Sequence, residues 1–123
     1  MTQKDKELLL KDLCARLPYH TRVKVWLKDG TTEEGPLDLE HNYGDVLRDA
    51  FYYNEIVKIK PYLFPMSSMT EEQKKEYNLL RNRVDKELYD TWKSIDYLNT
   101  HHFDYRGLID KGLAIDATGL NIY

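Results

Sequence analysis

Four side chains in one short stretch of the sequence could hold a phosphate chain and stack a base. Residues 22–28 read Arg-Val-Lys-Val-Trp-Leu-Lys, a strict alternation of polar or aromatic side chains with aliphatic ones. Because alternate side chains of a β-strand point to the same face, one face is predicted to carry Arg22, Lys24, Trp26 and Lys28. A cationic stripe around an aromatic ring is typical of surfaces that bind single-stranded nucleic acid. A solvated sheet face, on which the tryptophan covers lysine stems, is the alternative.

Two further lysines extend this stripe if their strand lies beside the first one. Lys58 and Lys60 alternate with Val57 and Ile59 in the segment before Pro61. Residues 21–60 as a whole contain six basic and eight acidic side chains. Any positive surface must therefore be local, and the whole-chain formal net charge of −3 argues against a dedicated nucleic-acid binder.

A second candidate binding set consists of aromatic side chains later in the chain. Ten of the 123 residues are tyrosines, and tyrosine combines apolar area with a polar tip that suits protein interfaces. We expect a protein partner to contact the aromatic residues of two dense segments: Tyr62, Phe64, Tyr97, Phe103 and Tyr105. Packing of these rings between sheet and helices is the alternative.

The sequence contains no set of residues with the spacing of a catalytic or metal site. The candidate metal ligands are Cys14, His20, His41, His101 and His102. Neighbouring histidines diverge on a helix or a strand, and neither a C-x₂-C nor an H-x₃-H pattern occurs. Cys14 lies in an apolar helical run, where a small hydrophobic role is expected. The prediction is therefore a non-enzymatic protein with no cofactor and no metal.

Length and composition predict one cytoplasmic domain that spans residues 1–123. This length is close to the commonest domain size, and the single cysteine excludes an internal disulfide and suits a reducing compartment. The first residues interleave charges with leucines, so no signal peptide is expected. No apolar run approaches the roughly 20 residues that span a bilayer, and we expect no membrane association. Oligomeric state is left open.

The first half of the chain is predicted to be a helix followed by a meander. Thr2 caps a helix from about Gln3 to Leu17, whose apolar positions are Leu9, Leu10, Leu13, Cys14 and Leu17. Asp29-Gly30 then predicts a type I′ hairpin turn between strand 22–28 and a second strand from near Thr31, which Gly35-Pro36 bends or places at an edge. Strands near 46–53 and 55–60 complete the sheet, and Pro61 and Pro65 close it.

The second half is predicted to be mainly helical. Thr70 and Gln73 form a capping box that starts a helix running to about Asp90. A second helical piece is capped by Ser94 or Asp96, and residues 101–104 break it. A short helix from Tyr105 to Lys111 ends at Gly112, and the tail 113–123 docks on the body.

Three segments carry a resemblance to a known family. They are LLLKDLCARLP at 8–18, KPYLFPMSSMTEEQ at 60–73, and a C-terminal set with SIDYLN at 94–99, HFDYRGLI at 102–109 and KGLA at 111–114. Together they cover about half the chain, and they are similar to a family of small bacterial proteins found in gut bacteria and their mobile elements. The resemblance implies a shared fold and a bacterial source, and it implies no activity.

Residues 23–50, with 55–59, are also similar to the Sm-like RNA-binding barrels. The shared features are an N-terminal helix, a Lys-Asp-Gly turn, a bent glycine-containing strand and a closing strand. The base-stacking position of those barrels is taken here by Gly44-Asp45, and their Arg-Gly RNA contact by Tyr53-Asn54. The resemblance therefore implies a small SH3-like or Sm-like barrel without its RNA site.

Together these patterns predict an α+β protein. A helix over 1–18 precedes a small antiparallel, barrel-like sheet of four or five strands over 21–64, and 70–123 form a helical region. The predicted function is that of a protein-interaction module. The alternative is a weak nucleic-acid binder that uses the stripe around Trp26.

Overall fold

The computed structural model describes residues 2–37, 56–81 and 88–123, and within them the predicted α+β class is confirmed. Helix α1 spans Gln3–Arg16, and a short 3₁₀ turn over Leu17–Tyr19 follows it. Thr2 and Asp5 close the N-terminus as a capping box, in which each side chain bonds the other residue's backbone N–H. Hydrogen bonds between residues close in the sequence therefore account for where α1 begins.

A mixed sheet of five short strands forms the centre of the described structure. The strands are β1 (Arg22–Leu27), β2 (Thr32–Pro36), β3 (Ile56–Pro65), β4 (Phe103–Asp104) and β5 (Ile115–Asp116). The order is β2-β1-β3-β4, with β5 also paired to β3. β1 is antiparallel to β2 and β3, whereas β4 and β5 are parallel to β3.

The predicted antiparallel, barrel-like sheet over 21–64 differs from the structure in two respects. Two strands come from the C-terminal region and run parallel to β3, and the described strands do not close into a barrel. β3 also continues through Pro61 to Pro65, although these prolines were predicted to close the sheet. A proline lacks only its own backbone N–H donor. The residues that follow Pro61 pair with β4 and β5. The strand predicted near 46–53 lies outside the described residues.

The hairpin between β1 and β2 is confirmed, but its turn is not of type I′. Leu27 donates its N–H to the carbonyl of Thr31, and Gly30 donates its N–H to the carbonyl of Leu27. Gly30 has φ +89°, whereas Asp29 does not have a positive φ. The loop therefore has three residues, with glycine in the left-handed position. Asp29 instead accepts from the N–H and the hydroxyl of Thr31.

Two helices follow the sheet, and the third predicted helix is absent from the described structure. α2 spans Glu71–Arg81 and begins with the predicted Thr70–Gln73 capping box. α3 spans Leu88–Thr100 without the interruption predicted near Ser94 and Asp96, and it ends at the predicted break. Residues 105–111 form turns instead of a helix, because Gly107 adopts φ +72° and the Asp104 carboxylate takes the N–H groups of Leu108 and Ile109.

The described residues pack into two apolar clusters. The larger lies between α1 and one face of the sheet and contains Leu9, Leu13, Val23, Val25, Leu37, Ile59, Leu63, Leu108, Leu113 and Ala114. The smaller joins α3 to β4 through Met69, Leu98 and Phe103. Leu10 and Cys14, predicted on the apolar face of α1, are exposed. Asp12 and Arg16 of α1 are buried instead. The C-terminal tail packs on the rest of the protein as predicted, because β5 pairs with β3.

Candidate nucleic-acid interface

The outer face of β1 and β3 gathers the predicted stripe and the two additional lysines. The strand register places Lys60 opposite Lys24 and Lys58 opposite Trp26. The inner face of the same strands carries Val23, Val25 and Ile59 against α1, so alternation leaves the cationic side chains on the outer face. We call this surface the basic face; it comprises Arg22, Lys24, Trp26, Lys58 and Lys60.

The indole ring of Trp26 lies at the centre of three ammonium groups. The Nζ atoms of Lys58, Lys24 and Lys60 lie 4.3, 5.3 and 6.0 Å from the Trp26 ring centroid. These are cation–π distances, and such contacts keep lysine charges beside an aromatic surface. Trp26 itself is half-buried, so part of its side chain is open to solvent in the described structure.

One carboxylate shares this face among the described residues of β1, β2 and β3. Glu34 lies opposite Lys24, with its Oε1 atom 3.8 Å from the Lys24 ammonium. Tyr62 donates its hydroxyl to the same Glu34 oxygen, and burial followed by this bond raises the pKa of Tyr62 to about 12. Glu34 is thus held in place and partly neutralises the basic face.

Lys28 does not belong to the basic face, contrary to the prediction. β1 ends at Leu27, and Lys28 is exposed in the hairpin loop. Alternation carries side chains to one face only while the strand continues. The other three predicted positions, Arg22, Lys24 and Trp26, do lie together.

Of the five aromatic residues predicted to contact a protein partner, two are buried and three are half-buried. Tyr62 and Phe103 are only 6% and 3% exposed, and Phe64, Tyr97 and Tyr105 pack against the Met69–Leu98–Phe103 cluster. The Tyr97 hydroxyl donates to Glu76, and the Tyr105 hydroxyl donates to Asn99. Four of the five rings, those of Phe64, Tyr97, Phe103 and Tyr105, thus lie in or against the second cluster, which corresponds to the packing alternative.

A buried ionic network behind the sheet was not anticipated from the sequence. Arg16 donates from Nε to Asp12 and from Nη2 to the Phe103 carbonyl, and Arg106 donates to the second Asp12 oxygen. The side chains of Asp12 and Arg16 are completely buried. The four-residue spacing from Asp12 to Arg16 indicates an ion pair, since such residues adjoin on a helix. Pairs of this kind usually lie on a solvated helix face, so the spacing does not indicate burial.

His102 adjoins this network and is held by neighbours on two sides. Its Nδ1 atom lies 3.2 Å from the Thr21 hydroxyl oxygen, and its ring stacks on Tyr123 at 3.7 Å between centroids. Burial, reinforced by repulsion from Arg16 and His101, lowers the pKa of His102 to about 4. The imidazole is therefore neutral at physiological pH.

Mild acid is expected to destabilise the protein through His102. The unfolded chain takes up a proton near the ordinary pKa of 6.5, whereas the folded chain does so only near pH 4. Between those values the unfolded state binds more protons, so the free energy of unfolding falls as pH falls, by up to about 3 kcal/mol. Urea unfolding of the native protein and of His102→Gln at several pH values measures this effect. An identical pH dependence in both proteins would contradict it.

The described residues form neither a metal-binding cluster nor a membrane-spanning helix. Within ranges 2–37, 56–81 and 88–123, no three histidine, cysteine, aspartate or glutamate side chains are grouped to hold a metal ion. In those same ranges, no helix has the length and apolar character needed to cross a membrane.

Comparison with known proteins adds no relative: no protein-family model matches the chain, and no curated protein or solved structure matches it significantly. The resemblances to the small bacterial family and to the Sm-like barrels therefore stay predictions.

Proposed function

We propose that this protein binds single-stranded nucleic acid, without enzymatic activity, through the basic face. The observation that supports the proposal is Trp26, whose ring is surrounded by three lysines from two neighbouring strands. An aromatic platform beside backbone-tracking cations is the combination by which single strands are bound without sequence readout. Each lysine can leave the ring for a phosphate, because its charge sits on a flexible stem.

A single strand fits the basic face better than a duplex does. Bases of a duplex are already stacked on one another, so a half-buried indole in a sheet has nothing to stack on. An unpaired base can lie on the ring while its phosphates meet Lys24 and Lys60, which face each other across the two strands. The binding energy then combines stacking with charge neutralisation.

The overall charge of the protein predicts modest affinity. A formal net charge of −3 repels a polyanion at long range, so attraction depends on the local cluster. Glu34 further reduces that attraction through its contact with Lys24. Binding is therefore expected to be weak at physiological salt and to strengthen steeply as salt is lowered.

Fluorescence of Trp26 gives a direct test. The chain has two tryptophans, and Trp92 is 61% exposed, so Trp92→Phe leaves Trp26 as the single reporter. Titration with oligodeoxythymidine of about 12 nucleotides should quench this emission saturably. The logarithm of the binding constant should fall against that of salt with a slope of about −2 to −3, from three or four phosphate contacts at about 0.7 each. Absent or salt-independent binding would overturn the proposal.

Interaction with a protein through the predicted aromatic residues stays the alternative proposal; Tyr62 and Phe103 are buried, whereas Phe64, Tyr97 and Tyr105 are half-buried. A cytoplasmic location and membership of the small bacterial family stay part of the proposal. The exposed, unpaired thiol of Cys14 supports the first of these, since a reducing compartment preserves such a thiol.

A further inference from the structure

A concave pocket opens beside one end of the basic face. Its volume is about 490 Å³, within the range of small-molecule sites. Aromatic rings of Phe64, Phe103 and Tyr123 contribute to its walls, together with His102, Gln73 and Thr118. Among the described residues that line it, none is a lysine, arginine, aspartate or glutamate. The pocket therefore suits an uncharged, planar and partly polar group.

Tyr123 connects this pocket to the basic face. Its hydroxyl accepts from the backbone N–H of Arg22 at 2.8 Å and donates to the carbonyl of Tyr62 at 2.7 Å. Arg22 is the first residue of β1, and Trp26 lies four residues further along the same strand. At about 3.3 Å per residue this separation is near 13 Å, the reach of a few nucleotides. One strand can therefore cross the basic face and end at the pocket.

Two rings of the pocket wall are held by contacts within the protein. The rings of His102 and Tyr123 lie nearly parallel, with 13° between their planes, and the Thr21 hydroxyl adjoins the His102 Nδ1 atom. Because the Thr21 hydroxyl engages Nδ1, Nε2 is the ring nitrogen that His102 can offer to the edge of a nucleobase, as a donor or an acceptor according to its tautomer. Fixed rings also reduce the ordering cost of binding.

We propose that this pocket binds one unstacked nucleobase of the strand that the basic face holds. The proposal rests on the proposed function for the strand, whereas the pocket's own chemistry depends on stacking and neutral hydrogen bonds. Free nucleosides lack phosphate and so have no charge for the basic face to attract. They consequently test the pocket separately from the strand.

The experiment titrates adenosine and uridine into the protein and follows the His102 imidazole carbon-bound protons by NMR. We expect saturable shifts that are unchanged between about 50 and 200 mM salt, a range over which phosphate contacts weaken strongly. Lys24→Glu with Lys60→Glu should leave these shifts unchanged while it abolishes oligonucleotide binding.

A pocket-filling variant, Thr118→Tyr, links the two measurements. Thr118 is exposed, and its backbone N–H rather than its side chain bonds Asp116, so the fold should tolerate the change. It should abolish the nucleoside shifts and weaken oligodeoxythymidine binding about tenfold, with Trp26 quenching retained. If nucleosides cause no shifts while the oligonucleotide still binds, the proposed nucleobase site in the pocket is contradicted. The proposed function of the basic face is then unaffected. Unchanged oligonucleotide affinity in Thr118→Tyr would contradict the inference that one strand contacts both the basic face and the pocket.

Discussion

Replacing Asp12 by alanine is expected to lower the free energy of unfolding by about 3–5 kcal/mol, because it leaves a buried guanidinium without its counter-charge. Asp12 accepts from Arg16 at 2.8 Å and from Arg106 at 2.8 Å. Arg16 is completely buried, and its Nη1 atom has no hydrogen-bond partner among the described residues. Without Asp12, Arg16 keeps only the neutral Phe103 carbonyl as an acceptor, which supplies no counter-charge.

Urea denaturation followed by far-UV circular dichroism measures this loss. Lys11→Ala is the matched control, since Lys11 neighbours Asp12 on α1 and is exposed, and a change within about 0.5 kcal/mol is expected there. The double variant Asp12→Ala with Arg16→Met should be more stable than Asp12→Ala alone, because it removes the unpaired charge. A loss below about 1 kcal/mol for Asp12→Ala would contradict the structural importance of the network.

Replacing Trp26 by alanine is expected to weaken oligonucleotide binding by about 1–3 kcal/mol, or roughly 5- to 150-fold. The lost stacking surface is uncharged, so the salt dependence should persist. Lys24→Glu should also weaken binding, but it should reduce the salt slope by about one contact. The two variants combined should bring binding below detection, as measured by the anisotropy of a labelled strand.

Two glutamates in β2 provide a matched control for the charge effect. Glu34 lies on the basic face opposite Lys24, whereas Glu33 lies opposite Val25, on the other face of the sheet. Glu34→Gln and Glu33→Gln change the net charge equally. Only Glu34→Gln should tighten binding, because it frees the Lys24 ammonium. Equal effects of the two variants would show that net charge, and not the basic face, governs the interaction.

Elements closed by short-range hydrogen bonds were determined by the sequence itself. The Thr2 cap of α1 and the Thr70–Gln73 capping box of α2 connect residues three apart, and both occur as predicted. The hairpin after β1 likewise depends on neighbours, although a third loop residue changed its turn type. The alternation in β1 also correctly placed Arg22, Lys24 and Trp26 on one face.

Pairing and burial between distant segments were decided only by the tertiary structure. Nothing local indicates that β4 and β5 run parallel to β3, that Asp12 meets Arg106, or that Tyr62 and Phe103 are buried. The alternation of residues predicted the cationic stripe around Trp26. Whether Lys58 and Lys60 extend it depended on which strand lies beside β1. The strand order is fixed by which apolar faces fit together in the core, and such a fit depends on residues far apart in the chain.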